Sequence, residues 1–419
     1  MEPREVVTAF LTDGARILLL LRSGFVSTYR GRWAGVSGYR EPCADPEAQA
    51  RREIAEETGL PERDLEFLRA GPPQAVLDPA EGRSWLVHPF LFRVLRPEAV
   101  RLDWENRAAE WVAPGEVLLR PTVPALARVL GVVLPLPGRT PEERTFRAAR
   151  EEARNEIARD RVSGASALAD RALREAAAWA GCPGVSPREG VGEGTVALSV
   201  LRPAMAPVRN AALHFLERFE DRCMGVPDAL KCADSCLGEL SAERAAAAER
   251  TAEAAARRLC GARRIVTLSR SGTVLALCRT LVATGAFPEV LLLESRPGGE
   301  AELMAEEVRG TGLRVELVPD TAVREAALRT EAAVCGADSL YADGSYANKT
   351  GSRALVQAAA AARVPVLVLA GPWKRRYGPG WEPFRDGDAF DPERAEGNGG
   401  PLFERVPAGL PFEILEGAE

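Results

Sequence analysis

After Gly261 the chain alternates short apolar runs with helical stretches, and few folds accommodate that rhythm. The runs are RRIVTLS, EVLLLES, RVELVPD, AAVCGAD and VPVLVLAG. Apolar strands separated by helices form βαβ units, with the strands parallel and buried between helical layers. The spacing therefore predicts a Rossmann-like, doubly wound parallel sheet over 261–419. Upstream, 144–260 reads as helix, as in EERTFRAAREEARNEIARD and SAERAAAAERTAEAAARRLC. The second stretch is rich in Ala and charge, yet its spacing suits a helix rather than a low-complexity segment.

The N-terminal third has a different texture. Residues 5–12, 16–22 and 84–95 read as strands, and Asp13-Gly14 between the first two is a hairpin signal. Pro46 to Thr58 reads as a helix, with Asp45 as N-cap, Pro46 at the first position and Gly59 at its end. An α+β unit over 1–133 is expected. LPLPGRTPEE at 134–143 has the Pro and Gly content of a linker. A chain of 419 residues has room for two or three domains.

Composition removes several function classes. A formal net charge of -6 argues against a nucleic-acid binder that relies on an overall basic field, so no nucleic-acid partner is expected. Apolar stretches such as Ile17 to Leu21 and Val364 to Ala370 fall far short of the ~20 residues that span a bilayer. The opening MEPREVV has no signal-like apolar region, so a cytoplasmic protein without a membrane partner is expected. Only His88 and His214 are present, which excludes histidine-rich metal sites. Eight cysteines are scattered through a chain too long to be a disulfide scaffold. The densest group is Cys223, Cys232 and Cys236. A zinc site usually has four ligands at tighter pair spacing, so buried thiols in helices are expected there.

Gly38 to Leu60 reads GYREPCADPEAQARREIAEETGL. On a helix Glu53, Glu56 and Glu57 stand at i, i+3 and i+4 and share a face, where like charges repel. A divalent cation would reverse that cost, since Mg²⁺ favours carboxylate oxygens, waters and substrate phosphates. Arg52 can orient one glutamate through a charge-assisted pair. Taken alone, such a triplet is also an ordinary solvated acidic face. The whole segment, however, resembles the Nudix box of the Nudix hydrolases. Gly38, Arg52, Glu53, Ile54, Glu56, Glu57, Gly59 and Leu60 are in register, and the flanking GRWAGVSG and WENRAAEWV extend the likeness over about 4–130. The first glutamate of the box falls on Ala44, with Glu41 and Glu47 out of register on either side. The resemblance implies an α/β/α sandwich, Mg²⁺ (or Mn²⁺) held by Glu53, Glu56 and Glu57, and attack by water on a diphosphate. One of these glutamates, or Glu105 from a later loop, would be the general base.

Four further fragments follow predicted strands: TLSRSGTV, LESRPGGE, LVPDTAV and CGADSLYADGSYANKTGS. Ser and Gly there can bring backbone N–H groups to a phosphate at a helix start. Arg296 and Lys349 can neutralise its charge, and Asp338 and Asn348 can bind sugar hydroxyls. Ordinary βα turns favour the same residue types, so no single fragment is decisive. In their order the four resemble the family of the initiation factor 2B α/β/δ subunits, ribose-1,5-bisphosphate isomerase and methylthioribose-1-phosphate isomerase. VSGASALADRAL and LRPAMAPVRNA extend that likeness over about 140–410. Its isomerases use a Cys and an Asp. The Asp matches Asp338, the Cys falls on Ser269, and Cys278 is out of register on the next helix.

Together the resemblances imply a Mg²⁺-dependent hydrolase of a nucleoside diphosphate derivative such as a nucleotide sugar. Its second half would bind a sugar phosphate or nucleotide at Ser269, Arg296, Asp338, Asn348 and Lys349. A homodimer through the C-terminal domain is implied by the resemblance. A ligand-sensing regulatory protein with an impaired Nudix domain, a sugar-phosphate isomerase and a translation factor are the alternatives.

Overall fold

The computed structural model describes residues 3–41, 45–78, 81–375 and 400–417. Ala44 therefore lies outside the described residues. The N-terminal elements are β1 (Arg4–Thr12), β2 (Ile17–Arg22), β3 (Trp33–Ala34), β4 (Val36–Tyr39), α1 (Pro46–Thr58), β5 (Leu65–Ala70), β6 (Gln74–Asp78), β7 (Arg83–Val94) and β8 (Asn106–Val112). They form one mixed sheet in the order β3-β2-β1-β7-β5, with β4 on β1, β6 on β7 and β8 on β2. β1 and β7 run parallel, Arg4 opposite Trp85 through Thr12 opposite Arg93. Asp13 closes the β1–β2 hairpin by accepting from the N–H groups of Ala15 and Arg16.

Helix α1 begins and ends as its sequence dictates. The Asp45 carboxylate accepts from Ala48 N–H, Pro46 opens the first turn, and Gly59 leaves at φ +66. Those choices satisfy the orphan amides at one end and permit the left-handed exit at the other. One sheet face packs Val7, Ala9 and Leu11 against Ile54 and Leu60. The other packs Phe10, Ile17 and Leu91 against Val129 and Leu130 of α2 (Leu126–Gly131). The result is the α/β/α sandwich.

The helices that follow are α3 (Pro141–Arg159), α4 (Ala165–Ala178), α5 (Pro187–Ser199), α6 (Ala206–Cys223) and α7 (Ala229–Arg258). The segment expected to be a linker is no tether. Leu134 and Leu136 are buried in the core of the first domain, and α3 already starts at Pro141. Val196 and Ala197 of α5 complete that same core. A Cβ added to Gly115 would lie 2.5 Å from the Gly192 Cα, so glycine is required where the N-terminal domain meets α5. At this junction Arg147 pairs with Glu193, both about 2% exposed, and Glu193 also accepts from Leu136 N–H at 2.8 Å. Proline and glycine are the composition of a linker, but here they turn a chain whose apolar residues are buried.

The remainder comprises β9 (Arg264–Leu268), α8 (Gly272–Ala283), β10 (Glu289–Leu293), α9 (Ala301–Gly310), β11 (Val315–Val318), α10 (Val323–Leu328), β12 (Ala332–Gly336), β13 (Ser339–Leu340), β14 (Tyr346–Lys349), α11 (Ser352–Ala362), β15 (Val366–Leu369), β16 (Phe403–Val406) and β17 (Glu413–Leu415). Six strands form a parallel sheet in the order β11-β10-β9-β12-β15-β17. The order reverses between β9 and β12, where such a sheet opens a crevice at its carboxyl edge. A separate sheet, β13-β14-β16, lies beyond that edge.

The buried pair at the domain junction sets an expectation for stability. Glu193→Gln removes the charge that balances Arg147 and should cost about 3–5 kcal/mol. Replacing both residues together by Met should restore most of that loss. Denaturant melts of the full chain measure both, and a Glu193→Gln chain as stable as the wild type would contradict the expectation.

Candidate functional site

Glu53, Glu56 and Glu57 project from α1, and the sheet edge at β4 comes to meet them. Gly38 of β4 sits so close that an added Cβ would fall 1.9 Å from the Glu53 carboxylate. Only a glycine leaves room for that side chain. Glu53 is half-buried and accepts from Gln49 Nε2 at 2.7 Å. Glu56 is exposed. Glu57 is buried, with its oxygens taking the Ser37 N–H at 2.9 Å and the Asn106 Nδ2 at 2.7 Å. Burial pushes the Glu57 carboxyl up to about 8, against those two hydrogen bonds, and Glu105 and Asp103 push the same way. Glu53 is likewise raised, by burial first and then by Glu56 and Glu105.

Glu56, Glu105 and Asp103 are near enough to raise these carboxyls, although among the described residues no three carboxylates bring their oxygens within 4.8 Å of one another. Carboxylate oxygens are hard-ligand chemistry that fits Mg²⁺ or Mn²⁺. Glu105 lies near enough to raise both half-buried Glu53 and buried Glu57. Arg52 does not orient a box glutamate by direct contact. Its guanidinium pairs instead with Glu41 at 3.0 Å, both side chains largely exposed. The spacing of the acids made α1 legible, but Ser37, Asp103 and Asn106 had no signal of their own. One contributes a backbone amide, and the others come from the start of β8 and the turn before it, remote in sequence.

The second constellation forms at the reversal between β9 and β12. Ser269 follows β9 in a left-handed conformation, φ +61. Its N–H donates to Ser295 Oγ at 2.6 Å and its hydroxyl donates to Glu300 at 2.8 Å. Glu300 also holds Lys349 Nζ at 2.9 Å, and that ion pair is almost fully buried. Gly298 is required beside it, since a Cβ there would lie 2.1 Å from the Glu300 carboxylate and 2.5 Å from Lys349 Nζ. Ser271 caps α8 by accepting from Val274 N–H, so the amides of the first turn face the crevice. Asp338 follows β12, and its N–H donates to Ala347 O at 2.8 Å.

Ser269 and Asp338 line two adjoining cavities. One also includes Asn348 and Lys374, the other Arg161, Arg202, Arg270, Glu300 and Lys349. Four of the five expected residues therefore gather. Arg296 does not join them. Its exposed side chain reaches Glu302 at 3.6 Å, and it lines neither cavity. Asn348 and Lys349 were expected just after a strand but lie within β14, in the separate small sheet. The Asp of LVPDTAV, Asp320, braces the turn, accepting from the N–H groups of Ser295 and Arg296. Cys278 is buried on α8, its thiol pushed by burial to about 12.

Sequence reasoning missed Glu300, although it ends one of the four fragments, and Lys374. Lys374 follows β15 in Gly371-Pro372-Trp373-Lys374, another strand-to-turn position. Burial pulls its ammonium down to about 8, against the attraction of Asp338, and Arg244 adds to the depression.

The cysteine expectation is also corrected. Cys223 and Cys232 are joined in a disulfide, and Cys236 Sγ lies 3.7 Å from Cys223 Sγ. The sequence spacing hid this contact because the turn from α6 to α7 brings the sulfurs together. No helix among the described residues is long and apolar enough to cross a membrane.

Comparison with known proteins matches the two halves of the chain separately. Part of the chain is 34% identical over 110 residues to ribose 1,5-bisphosphate isomerase of Archaeoglobus fulgidus, covering 26% of this chain and 35% of that protein. The isomerase of Pyrococcus furiosus is 30% identical over 128 residues, covering 30% and 40%. The chain thus spans well under half the length of these curated relatives. Among solved structures, the translation initiation factor eIF-2B of Pyrococcus horikoshii OT3 aligns with a TM-score of 0.52 at 24% identity, covering 64% of this chain and 95% of that one. The 5-methylthioribose 1-phosphate isomerase of the same organism aligns at 0.51 and 21%, covering 64% and 83%. At these identities the structural likeness is one of fold. By its family matches, the chain carries a NUDIX domain over residues 2–131 and a region of the Initiation factor 2 subunit family over residues 191–375.

Proposed function

We propose that the N-terminal domain hydrolyses the diphosphate bond of a nucleoside diphosphate derivative, and that the C-terminal domain binds a phosphorylated sugar or nucleotide. The observation that carries the first half is the packing of Glu53 against Gly38 and the burial of Glu57 on the same helix, both carboxyls raised by burial and by neighbouring acids, Glu105 among them. Mutual repulsion in this group makes it unfavourable without a counter-charge. Glu53, Glu56 and Glu57 would hold Mg²⁺ or Mn²⁺, which when bound neutralises phosphate charge and makes water more acidic. The chain's own parts in the reaction are separable. Ser37 and Asn106 fix Glu57 by hydrogen bonds. Gly38 admits Glu53. Glu105, free of the α1 scaffold, is the candidate to accept the proton of the attacking water.

In the C-terminal crevice, amides at the start of α8 and the buried ammonium of Lys374 suit a phosphate, and Asp338 suits a hydroxyl. Association of two copies through this domain belongs to the same proposal. A specific contact also favours isomerisation as a second reading. The Ser269 hydroxyl is not isolated, because it donates to a carboxylate that Lys349 keeps in place. That arrangement offers an oxygen base where the related isomerases have a thiol.

The experiment that tests the first half is a Mg²⁺-dependent phosphate-release screen over nucleotide sugars, ADP-ribose, dinucleotides and oxidised nucleotides. Glu56→Gln and Glu57→Gln should each remove most of the turnover found while leaving the fold intact. Wild-type turnover by both variants at saturating Mg²⁺ would refute the metal assignment.

Binding in the crevice carries its own pH signature. Lys374 loses its proton near pH 8 in the free chain. A bound phosphate favours the ammonium, so it raises that pKa. At about pH 8.5 binding should therefore take up a proton. Calorimetry with ribose 5-phosphate in two buffers of different ionisation enthalpy reads this directly. Uptake should vanish in Lys374→Met, and an equal uptake in that variant would assign the proton elsewhere.

Ser269→Cys separates the two readings of the crevice. If isomerisation is its chemistry, the thiol should raise turnover of ribose 1,5-bisphosphate over the wild type. Binding of that sugar without turnover by either chain would leave the binding role alone.

A further inference from the structure

The three cysteines at the turn from α6 to α7 are unused by either constellation. Cys223 ends α6, and Cys232 and Cys236 stand four residues apart on one face of α7. Their sulfurs all lie within 4.8 Å of one another. Cys223 and Cys236 are buried, while Cys232 is partly exposed. Two thiolates on one tetrahedral zinc, each at about 2.3 Å from it, stand roughly 3.8 Å apart. The Cys223–Cys236 separation of 3.7 Å already has that value, although no bond joins these two atoms.

We propose that, when reduced, Cys223, Cys232 and Cys236 form a three-thiolate site for Zn²⁺, and that the Cys223–Cys232 disulfide is the oxidised, metal-free form of the same site. Three thiolates around Zn²⁺ leave one negative charge. Arg218 and Arg222 stand beside the cluster together with their partner Glu239, at 3.0 and 2.6 Å, so charges of both signs border it. No His, Asp or Glu among the described residues completes the group. The fourth position therefore falls to solvent or an exogenous ligand on the Cys232 side, where Met224 and Val226 are exposed. This resembles the open coordination of zinc sites with three protein ligands.

Interconversion needs an external two-electron reductant. A phosphine supplies the electron pair and ends as its oxide with the oxygen of water, while the S–S bond breaks and two thiols form. Zinc then displaces the three thiol protons.

The test uses the full chain, reduced with a phosphine, cleared of it without oxygen, and titrated with Co²⁺ and then Zn²⁺. The expected result is one equivalent of Co²⁺ with a thiolate-to-cobalt charge-transfer band, which Zn²⁺ abolishes. Cobalt held by the carboxylates of α1 gives no such band, so the two sites are distinguished. The band should be lost in Cys232→Ser, whose partly exposed position should not disturb folding, and in Cys236→Ser. It should be absent from the oxidised chain. A reduced wild type with no band, or a band that survives both substitutions, overturns the proposal. The second outcome would point to exposed Cys260 as an adventitious ligand.

Discussion

The Arg147–Glu193 ion pair is the point from which the two halves of the molecule take their relation. Both side chains are buried, so each charge depends on the other and on the Leu136 amide for solvation. Such a pair is costly to break and specific in its geometry. It fixes three things at once: helix α3, helix α5 and the chain leaving the N-terminal domain. Around it the packing is equally intolerant, with Gly115 against Gly192 and Gly131 against Val200 and Val196. Arg154 adds a polar stitch, donating to Gly131 O and Ala197 O. The N-terminal domain is therefore continuous with the helical region through a shared core.

That continuity explains which readings of the sequence succeed. The helix bearing the acidic triplet is legible because its ends are local chemistry. Asp45, Pro46 and Gly59 each satisfy a need that exists within four residues of themselves. The strands after Gly261 are legible for a similar reason: a buried parallel strand must be apolar throughout. The segment 134–143 is misread because proline and glycine report turning, and turning is common to tethers and to tightly packed crossings. Its buried Leu134 and Leu136 could have argued the other way.

The site residues divide along the same line. Glu53, Glu56 and Glu57 share one helix, so their spacing alone places them together. Glu57's partners come from β4 and from the start of β8, about twenty and fifty residues away, and no local pattern links them. In the crevice, residues just after β9 and β12 are placed by sheet topology, which is why Ser269 and Asp338 meet. Arg296 follows the neighbouring strand β10, yet Asp320 holds its backbone and its side chain goes to the surface. Position after a strand brings a residue to the edge of the sheet; it does not aim the side chain.

Both constellations solve a charge problem with the same device. A glycine is set against a carboxylate, Gly38 at Glu53 and Gly298 at Glu300, so that a strand or turn can approach without a side chain intervening. What differs is the counter-charge. Glu300 has Lys349 built in, so that carboxylate is balanced within the chain. The α1 cluster has no such internal cation at Glu57, whose carboxyl is held protonated into the neutral range by burial. A cation bound there would have to displace that proton, so its binding depends on pH. The chain thus presents one crevice with a built-in ion pair and one acidic helix face whose buried Glu57 is raised by burial and by neighbouring acids. That contrast is the physical basis on which metal-dependent hydrolysis is proposed for the N-terminal domain and ligand recognition for the C-terminal one.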